Sequence, residues 1–269
     1  MQLFPRLLRL TDRNINKRKS MKKLFFVFVV VFAVVAGTSV YAFQGSDKVE
    51  ESRGLKGFER IRLEGSPDIK YAQGKTWSVR VKAPKSIIKK VQTRVENNTL
   101  VVSVSSGSMF SFSSMKDNDV TVYVTSPDLV GVEVHGSGDF ESKSHVDTDN
   151  LAITLKGSGD IDFYDIICDR VNVSLVGSGD VDIKKVVTQY SAVELVGSGD
   201  VKISQLNAKD TKLELKGSGD IKVANQNCGT VTCRLVGSGD ITLTGTVRKL
   251  EKTTRGSGDI HTDGLQIVR

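Results

Sequence analysis

A tetrapeptide, Gly-Ser-Gly-Asp, occurs seven times in the second half of this chain and limits its possible folds more than any other feature. Successive copies start 19 to 21 residues apart. Their first residues are Gly136, Gly157, Gly177, Gly197, Gly217, Gly237 and Gly256. A fixed period of about 20 residues is typical of repeat architectures, in which each unit buries its apolar face only by stacking on its neighbours. The sequence therefore predicts a stack of similar units.

Apolar and polar residues alternate through each unit, and the alternation continues across the tetrapeptide. Around the fourth copy every second residue is aliphatic or glycine, as in Val193, Leu195, Gly197, Gly199, Val201 and Ile203. A period of two is the mark of half-buried strands, and glycine suits a sharp corner because the backbone bends there without a side chain to accommodate. We therefore predict an all-β chain that forms a parallel β-helix, or solenoid. Each rung of about 20 residues would hold two or three short strands and one Gly-Ser-Gly-Asp corner.

Residues 43–135 also have a β pattern but lack the regular period. Gly-Ser-Pro-Asp at 65–68 is a degenerate copy of the tetrapeptide, with Pro in place of the second Gly. Residues 86–91 are expected to form one helical turn, and Asn97-Asn98 is expected to close a hairpin. A less regular β region is therefore predicted to precede the repeats.

Residues 105–119 are rich in serine and interrupt the β pattern. This composition is typical of a mobile surface loop. We expect Phe110, Phe112 and Met115 within it either to form a contact patch or to anchor the loop partly in the protein.

The N-terminus has the layout of a secretory signal peptide. Lys22 and Lys23 precede an unbroken apolar run at 24–36, and small residues then lead to a cleavage site after Ala42. Translation is expected to start at Met21, and no cysteine lies near the cleavage site to carry a lipid anchor. The alternative is an uncleaved run that tethers the protein to the membrane, although 13 residues is short for a span of about 20. The predicted division is 1–42 for the upstream segment and signal peptide, 43–135 for the irregular N-terminal part of the β-helix, and 136–269 for its regular repeats.

The formal net charge of +7 comes from the N-terminal segment. Residues 1–42 hold eight Lys and Arg against one acid, and the rest of the chain has 30 basic and 30 acidic residues. Sequence-independent binding to the phosphate backbone of a nucleic acid requires a concentration of basic side chains. Nucleic acid is therefore not expected as a partner.

An exported protein can form disulfides, but three cysteines cannot all pair. Cys168 and Cys228 lie at the same offset three rungs apart, about 14 Å along the stack, which is too far for a bridge. Either Cys228 pairs with Cys233, or all three cysteines are small buried hydrophobic residues.

Four features together resemble the GIN-domain family, described as autotransporter adhesin heads of bacterial envelopes. They are the export signal, an opening Phe58-x-x-Ile61-x-Leu63 segment, a Ser-Pro-Asp-Leu link at 126–129 and the Gly-Ser-Gly-Asp rungs. The resemblance covers about residues 57–267. It implies a right-handed, pectin-lyase-like β-helix outside the inner membrane, without catalytic residues and with a role in adhesion. Ten residues follow Asp259, too few for a translocator, so we expect an exported protein in the periplasm or at the outer cell surface.

A column of aspartates, one per corner, is the candidate site that the stacking predicts. Its members are Asp139, Asp160, Asp180, Asp200, Asp220, Asp240 and Asp259. Carboxylates about 5 Å apart repel by about 0.8 kcal/mol in water, so we expect a compensating interaction. The structural interpretation is that backbone N–H groups at the corner donate to each Asp while serine hydroxyls form a ladder. The alternatives are calcium, which takes several carboxylate and carbonyl oxygens, and a polar-ligand groove along the column. No other metal or cofactor is predicted.

The repetition of near-identical residues on every rung argues against an enzyme. A polysaccharide lyase would need a few unlike acids and a basic residue concentrated on one or two rungs, whereas Arg170 and Arg234 are isolated. His135, His145 and His261 show neither triad nor metal spacing. The predicted function is a nonenzymatic exported envelope protein, an adhesin or binding scaffold whose partner is a protein or glycan. The alternatives are a calcium-dependent polysaccharide lyase or carbohydrate-binding protein, and a membrane-tethered envelope sensor domain.

Overall fold

A computed structural model of the chain describes residues 48–105 and 120–268. This part contains 19 strands and a short 3-10 turn, Ile88–Lys90, inside the segment where a helical turn is predicted. The predicted signal peptide at 1–42 and the loop residues Phe110, Phe112 and Met115 lie outside the described residues. Within the described ranges, no helix is long and apolar enough to cross a membrane.

Most strands belong to two ladders of parallel strands, which we call face A and face B. In stacking order, face A contains β6 (Thr99–Val104), β2 (Arg60–Gly65), β8 (Gly131–Gly136), β10 (Asn150–Gly157), β12 (Arg170–Gly177), β14 (Tyr190–Gly197) and β16 (Asp210–Gly217). Face B contains β7 (Thr121–Ser126), β3 (Asp68–Gln73), β9 (Phe140–Asp147), β11 (Ile161–Ile167), β13 (Val181–Val187) and β15 (Asp200–Leu206). The long strands β17 (Asp220–Gly237) and β18 (Ile241–Gly256) each begin in face B and end in face A, and β19 (Ile260–Ile267) ends face B.

These ladders confirm the predicted parallel β-solenoid with a repeat of about 20 residues. Each rung has one strand in each face, and equivalent residues of successive rungs lie opposite each other. Leu195, for example, pairs with Leu175 on one side and with Leu215 on the other, and all three are fully buried. The alternating aliphatic residues of both faces therefore form a continuous core along the stack.

The glycines of the Gly-Ser-Gly-Asp corner are required by the close approach of successive rungs. The carbonyl oxygen of Gly177 accepts hydrogen bonds from the amides of Ser198 at 2.9 Å and Gly199 at 3.3 Å. A Cβ atom added at Gly197, whose φ is +138°, would lie 2.1 Å from that same oxygen. One added at Gly199 would lie 1.9 Å from the carbonyl oxygen of Gly179. The bend of the backbone is therefore only part of the reason for glycine at these two positions. A side chain at either position would also hold successive rungs apart.

The N-terminal part is irregular because its strands do not stack in chain order. The rung formed by β2 and β3 lies between the rung of β6 and β7 and that of β8 and β9. Three antiparallel strands extend this end: β5 (Val91–Glu96) pairs with β6, β4 (Ser78–Pro84) with β7, and β1 (Lys48–Arg53) with β4. Asn97 and Asn98 have φ values of 48° and 60° between β5 and β6, which confirms the predicted hairpin turn.

The C-terminal end of the stack has a polar edge. In the last stretch of β18, Lys252 and Thr254 pair with Cys233 and Leu235, which point into the core, yet both residues are exposed. Lys and other polar residues at inward positions of an edge strand disfavour pairing with another sheet. The two ends of the solenoid therefore differ, with antiparallel strands at one and a charged edge at the other.

Candidate functional site

The aspartates of the corner column are joined by hydrogen bonds that run from rung to rung. In each case the backbone amide of one aspartate donates to Oδ1 of the aspartate on the preceding rung. The distances are 2.9 Å from Asp160 to Asp139, 3.0 Å from Asp180 to Asp160 and 2.9 Å from Asp200 to Asp180. The pattern continues through Asp220, Asp240 and Asp259 at 3.1, 3.2 and 2.9 Å. Each side chain of the column except the last therefore has a backbone partner.

Sequence reasoning left one residue out of this column. Asp68, from the degenerate Gly-Ser-Pro-Asp copy, accepts the amide of Asp139 through Oδ1 at 3.3 Å. The carbonyl oxygen of Gly65 also accepts the amides of Ser137 and Gly138, as the equivalent glycine does on later rungs. The degenerate copy was visible in the sequence. Because it keeps the first Gly and the last Asp of the tetrapeptide, it was the available signal for an eighth aspartate in the column.

The donors in this column differ from those of an ordinary Asx turn, because they belong to the next rung rather than to the same turn. The arrangement favours a structural role for the carboxylates, and that role stays a prediction. Among the described residues, no group of three or more His, Cys, Asp or Glu side chains is arranged to hold a metal ion. The geometry thus gives the calcium alternative no preformed site in that part of the chain.

The carboxylates beside the corner nevertheless form a strongly acidic groove. A space of about 130 Å³ is lined by Asp160, Asp162, Asp180, Asp182 and Asp200, together with Val181 and Lys202. Burial raises the pKa of Asp160, and the carboxylates of Asp139 and Asp180 raise it further. Burial and then the Asp182 carboxylate raise the pKa of Asp162. At the C-terminal end the amide of Asp259, followed by His261, instead lowers the pKa of Asp240.

A second groove lies at the opposite corner, where the chain passes from face B back to face A. This second-corner groove has a volume of about 380 Å³. Its lining residues are Asp147, Thr148, Asp149, Ile167, Cys168, Asp169, Val187, Thr188, Gln189, Asn207 and Lys209. Unlike the Gly-Ser-Gly-Asp corner, it carries different residues on successive rungs, so it gave no repeat signal in the sequence.

The three cysteines are free and buried, so the possible Cys228–Cys233 disulfide is not formed. Burial raises the pKa of all three thiols, and that of Cys233 reaches about 12. Cys168 is near Thr188, with Sγ 3.6 Å from its hydroxyl oxygen. The thiols are therefore protonated at neutral pH, as expected for small hydrophobic residues in a core.

The histidines lie on different strands, His135 in β8, His145 in β9 and His261 in β19, each beside a carboxylate. His145 Nδ1 is 3.0 Å from Asp165 Oδ2, whereas the nearest carboxylate oxygens to His135 and His261 are 3.8 and 3.4 Å away, on Glu133 and Asp240. The structure therefore does not bring the three histidines together.

The two arginines considered for a lyase lie apart as well. The Arg170 guanidinium lies 4.8 Å from the centre of the Tyr190 ring on the outer surface, and Arg234 is exposed in face A. The structure therefore does not bring these two arginines together.

Comparison with known proteins agrees with this fold. A sequence-family profile described as "Putative auto-transporter adhesin, head GIN domain" matches residues 57–227 and 182–269. The crystal structure of a "putative adhesin" from Bacteroides fragilis NCTC 9343 is similar, with 26% sequence identity and a TM-score of 0.69 over 80% of this chain and 96% of that one. No curated protein matches the sequence.

Two further solved structures share the fold at lower identity. A "putative adhesin" from Parabacteroides distasonis ATCC 8503 has 17% identity and a TM-score of 0.68 over 81% of this chain and 97% of that one. Another protein of the same organism, described as a "putative lipid binding protein", has 20% identity and a TM-score of 0.65 over 81% and 97% of the two chains.

Proposed function

We propose, from the premise that this chain belongs to the GIN-domain family, that it is a nonenzymatic binding scaffold exported to the cell envelope. Membership rests on profile matches that together extend over residues 57–269. In this proposal the β-solenoid serves adhesion, and its broad repetitive faces contact a protein or glycan partner in the periplasm or at the cell surface.

The observation that carries the proposal is the engagement of the aspartate column in holding the rungs together. Each Oδ1 from Asp68 to Asp240 accepts a backbone amide of the next rung. This pattern supports the proposal that the most repeated residues of the chain serve the fold. A long stack held in this way offers extended faces of fixed spacing, and such surfaces suit contact with large partners.

The enzymatic alternative, a calcium-dependent polysaccharide lyase, would place its chemistry in the acidic groove beside Asp160. That groove contains several carboxylates, with Lys202 in its lining and Lys184 paired with Asp182. The separation of the histidines and of Arg170 from this groove supports the scaffold over the lyase.

An adhesion assay tests the proposal with the full chain. Bacteria that produce the protein and matched bacteria that lack it are applied to surfaces coated with matrix proteins, with purified glycans or with phospholipid vesicles. The vesicles are included because one protein with the same fold is described as lipid binding. We expect stronger retention of the producing cells on a protein or glycan surface. Equal retention of both strains on every surface would contradict the scaffold.

A second measurement separates the scaffold from the lyase. The purified full chain is incubated with acidic polysaccharides, with calcium or with chelator, and the unsaturated products of lyase cleavage are followed by their ultraviolet absorbance. We expect no product in either condition. Calcium-dependent product formation would overturn the nonenzymatic assignment.

A further inference from the structure

The second-corner groove combines three properties: an aliphatic floor, carboxylates without a cationic partner and residues that change from rung to rung. Its position is fixed by the ladders, because β11 and β13 end there in face B and β12 and β14 begin there in face A. We infer that this groove binds a short cationic segment of a partner protein. The inference rests on the proposed scaffold function and names the place and the chemistry of one contact.

The aliphatic part of the groove comes from face B. Ile167 and Val187 lie directly opposite each other in neighbouring strands, and Leu206 follows Val187 on the next rung. Ile167 is 40% exposed, and the other two side chains are half-buried. An aliphatic row on the outer surface of a strand leaves apolar area in water that a partner side chain would remove.

The charged part of the groove is acidic. Asp147, Asp149 and Asp169 line it, and Lys209 is the one cationic side chain in its lining. Within the described ranges, the carboxylates of Asp147 and Asp149 have neither a hydrogen bond nor an ion pair. Asp169 Oδ1 accepts one hydrogen bond, from the side-chain Nε2 of Gln189 at 2.6 Å.

Lys209 does not neutralise these carboxylates. Its Nζ donates to Oε1 of Gln189 at 2.8 Å, one rung away along the same corner. The groove therefore has a negative end at Asp147 and Asp149 and a neutral or positive end at Lys209. This polarity favours a ligand that presents positive charge to the first two rungs.

An unsatisfied polar group also lies beneath the groove, buried from solvent. Thr148 is 8% exposed, and its hydroxyl has no hydrogen-bond partner in the part of the chain that the structure describes. The equivalent hydroxyl of Thr188, two rungs further on, lies 3.1 Å from the carbonyl oxygens of both Asp169 and Tyr190 and donates its one proton to them. The end of the groove that contains the Asp147 and Asp149 carboxylates therefore also contains the hydroxyl of Thr148, which lacks a hydrogen bond.

The combination of charge and aliphatic surface selects the occupant. Nucleic acids and acidic glycans would be repelled by the carboxylates, and no aromatic ring lines the groove to stack on a neutral sugar. A peptide segment with Lys or Arg beside an aliphatic residue fits both parts: its cation meets Asp147 and Asp149, and its aliphatic side chain packs on Ile167 and Val187.

The probe is a fluorescent peptide, acetyl-Gly-Lys-Leu-Lys-Leu-Gly-amide, titrated with the full chain by fluorescence anisotropy. Two matched peptides carry Glu in place of Lys or Ser in place of Leu. We expect saturable binding of the first peptide, weakened by salt, and about tenfold weaker binding of each matched peptide. Failure of the Lys-Leu peptide to bind, or equal binding of the Glu peptide, would overturn the inference.

Variants locate the binding. D147N/D149N/D169N removes the groove carboxylates, and I167S removes the most exposed aliphatic side chain of the groove. The control D162N/D182N removes two carboxylates from the acidic groove at the other corner. We expect about tenfold weaker binding in the triple variant, a smaller loss in I167S and no change in the control, with thermal unfolding as a check on folding. An unchanged Kd in the triple variant, or an equal loss in the control, would show that the second-corner groove is not the site.

The outcomes distinguish this inference from the proposed function. If producing cells adhere but the peptide does not bind in the groove, the scaffold stands and the cationic segment is wrong. If the peptide binds in the groove but producing cells adhere to no surface, the site stands and the adhesive role is wrong.

Discussion

The backbone amide of Asp200 donates a hydrogen bond of 2.9 Å to Oδ1 of Asp180. Asp180 in turn donates to Asp160 and Asp200 accepts from Asp220, so each residue contributes both a donor and an acceptor to the stack. The same bond links the corners from Asp68 to Asp259. It supplies a partner for a backbone amide and offsets repulsion between neighbouring carboxylates. We therefore predict that the repeated aspartate serves the fold.

Replacing a corner glycine should separate two rungs. In Gly199→Ala the new Cβ would lie 1.9 Å from the carbonyl oxygen of Gly179, and backbone on both sides cannot move aside cheaply. We expect a loss of about 3 kcal/mol or more in the free energy of unfolding, measured by denaturant titration. Gly54→Ala is the control, because no atom lies within 4 Å of its added Cβ. Equal stability of the two variants would contradict the close-approach explanation.

Asparagine and alanine should differ at position 180. Asp180→Asn keeps a side-chain oxygen that accepts the Asp200 amide, whereas Asp180→Ala removes it. We expect Asp180→Ala to cost about 1 kcal/mol of unfolding free energy and Asp180→Asn to cost clearly less. If the two variants are equally destabilised, the negative charge rather than the acceptor is what matters.

Calcium should leave the stability of the protein unchanged. A ligand that binds only the folded state raises the free energy of unfolding by about 2.7 kcal/mol at a hundredfold excess over its Kd. Because the described residues contain no cluster of ligands arranged for a metal, we expect the same Tm with added calcium and with chelator. A saturable increase in Tm with calcium would instead make the aspartate column a metal site.

Neutralising a carboxylate of the acidic groove should stabilise the protein. Burial and Asp182 raise the pKa of Asp162, so the folded protein binds this proton more tightly than the unfolded chain. The ionised group therefore lowers stability above its folded pKa, and the effect disappears as the pH falls below the reference value of 3.8. We expect Asp162→Asn to raise the Tm at about pH 7 and to leave it unchanged at about pH 3.

Glu141→Gln provides a control of opposite sign for this pH dependence. A hydrogen bond from Lys143 lowers the pKa of Glu141, so its ionised form stabilises the protein above the reference value of 4.5, and that contribution is lost as the pH falls through the folded pKa. The glutamine variant should therefore have a reduced Tm at about pH 7. A lower Tm for Asp162→Asn under the same conditions would show that the Asp162 carboxylate forms a stabilising pair instead of being destabilised by burial and by Asp182.

The polar C-terminal edge should prevent association of the stack. Lys252→Val with Thr254→Leu restores apolar residues at the two inward positions that pair with Cys233 and Leu235. We expect concentration-dependent dimers or larger species in analytical ultracentrifugation, because the edge then offers both free backbone groups and apolar surface. Thr253→Val, at an outward position of the same strand, should leave the parent's sedimentation unchanged. Similar association in the control would assign the effect to hydrophobicity alone.

The repeat region could be predicted from the sequence because its signal recurs on every rung. The alternation around Leu195 gave the strands and their inward faces, and the period gave the parallel register. The hairpin at Asn97 and Asn98 was equally visible, since adjacent asparagines with positive φ are a local turn signal. These features depend on short stretches of chain or on exact repetition.

The remaining features depend on pairing between distant and unlike segments. The position of β2 between β6 and β8 is set by contacts between strands about 40 and 70 residues apart, and no period in residues 43–135 indicates it. The second-corner groove was missed because its residues differ from rung to rung. Ile167 and Val187 at outward positions were the available signal, but single exposed aliphatic residues are common on protein surfaces.

The central claim is that the repeated corner builds the fold while the varied corner makes one required contact with the partner. Adhesion of cells that produce the parent, D160N/D180N/D200N or D147N/D149N/D169N tests it most directly, with the Tm of each purified protein measured alongside. We predict that the first variant adheres like the parent at temperatures below its own Tm, whereas the second keeps the parent's Tm and loses adhesion. Loss of adhesion in the folded D160N/D180N/D200N protein, with adhesion retained in D147N/D149N/D169N, would contradict the claim.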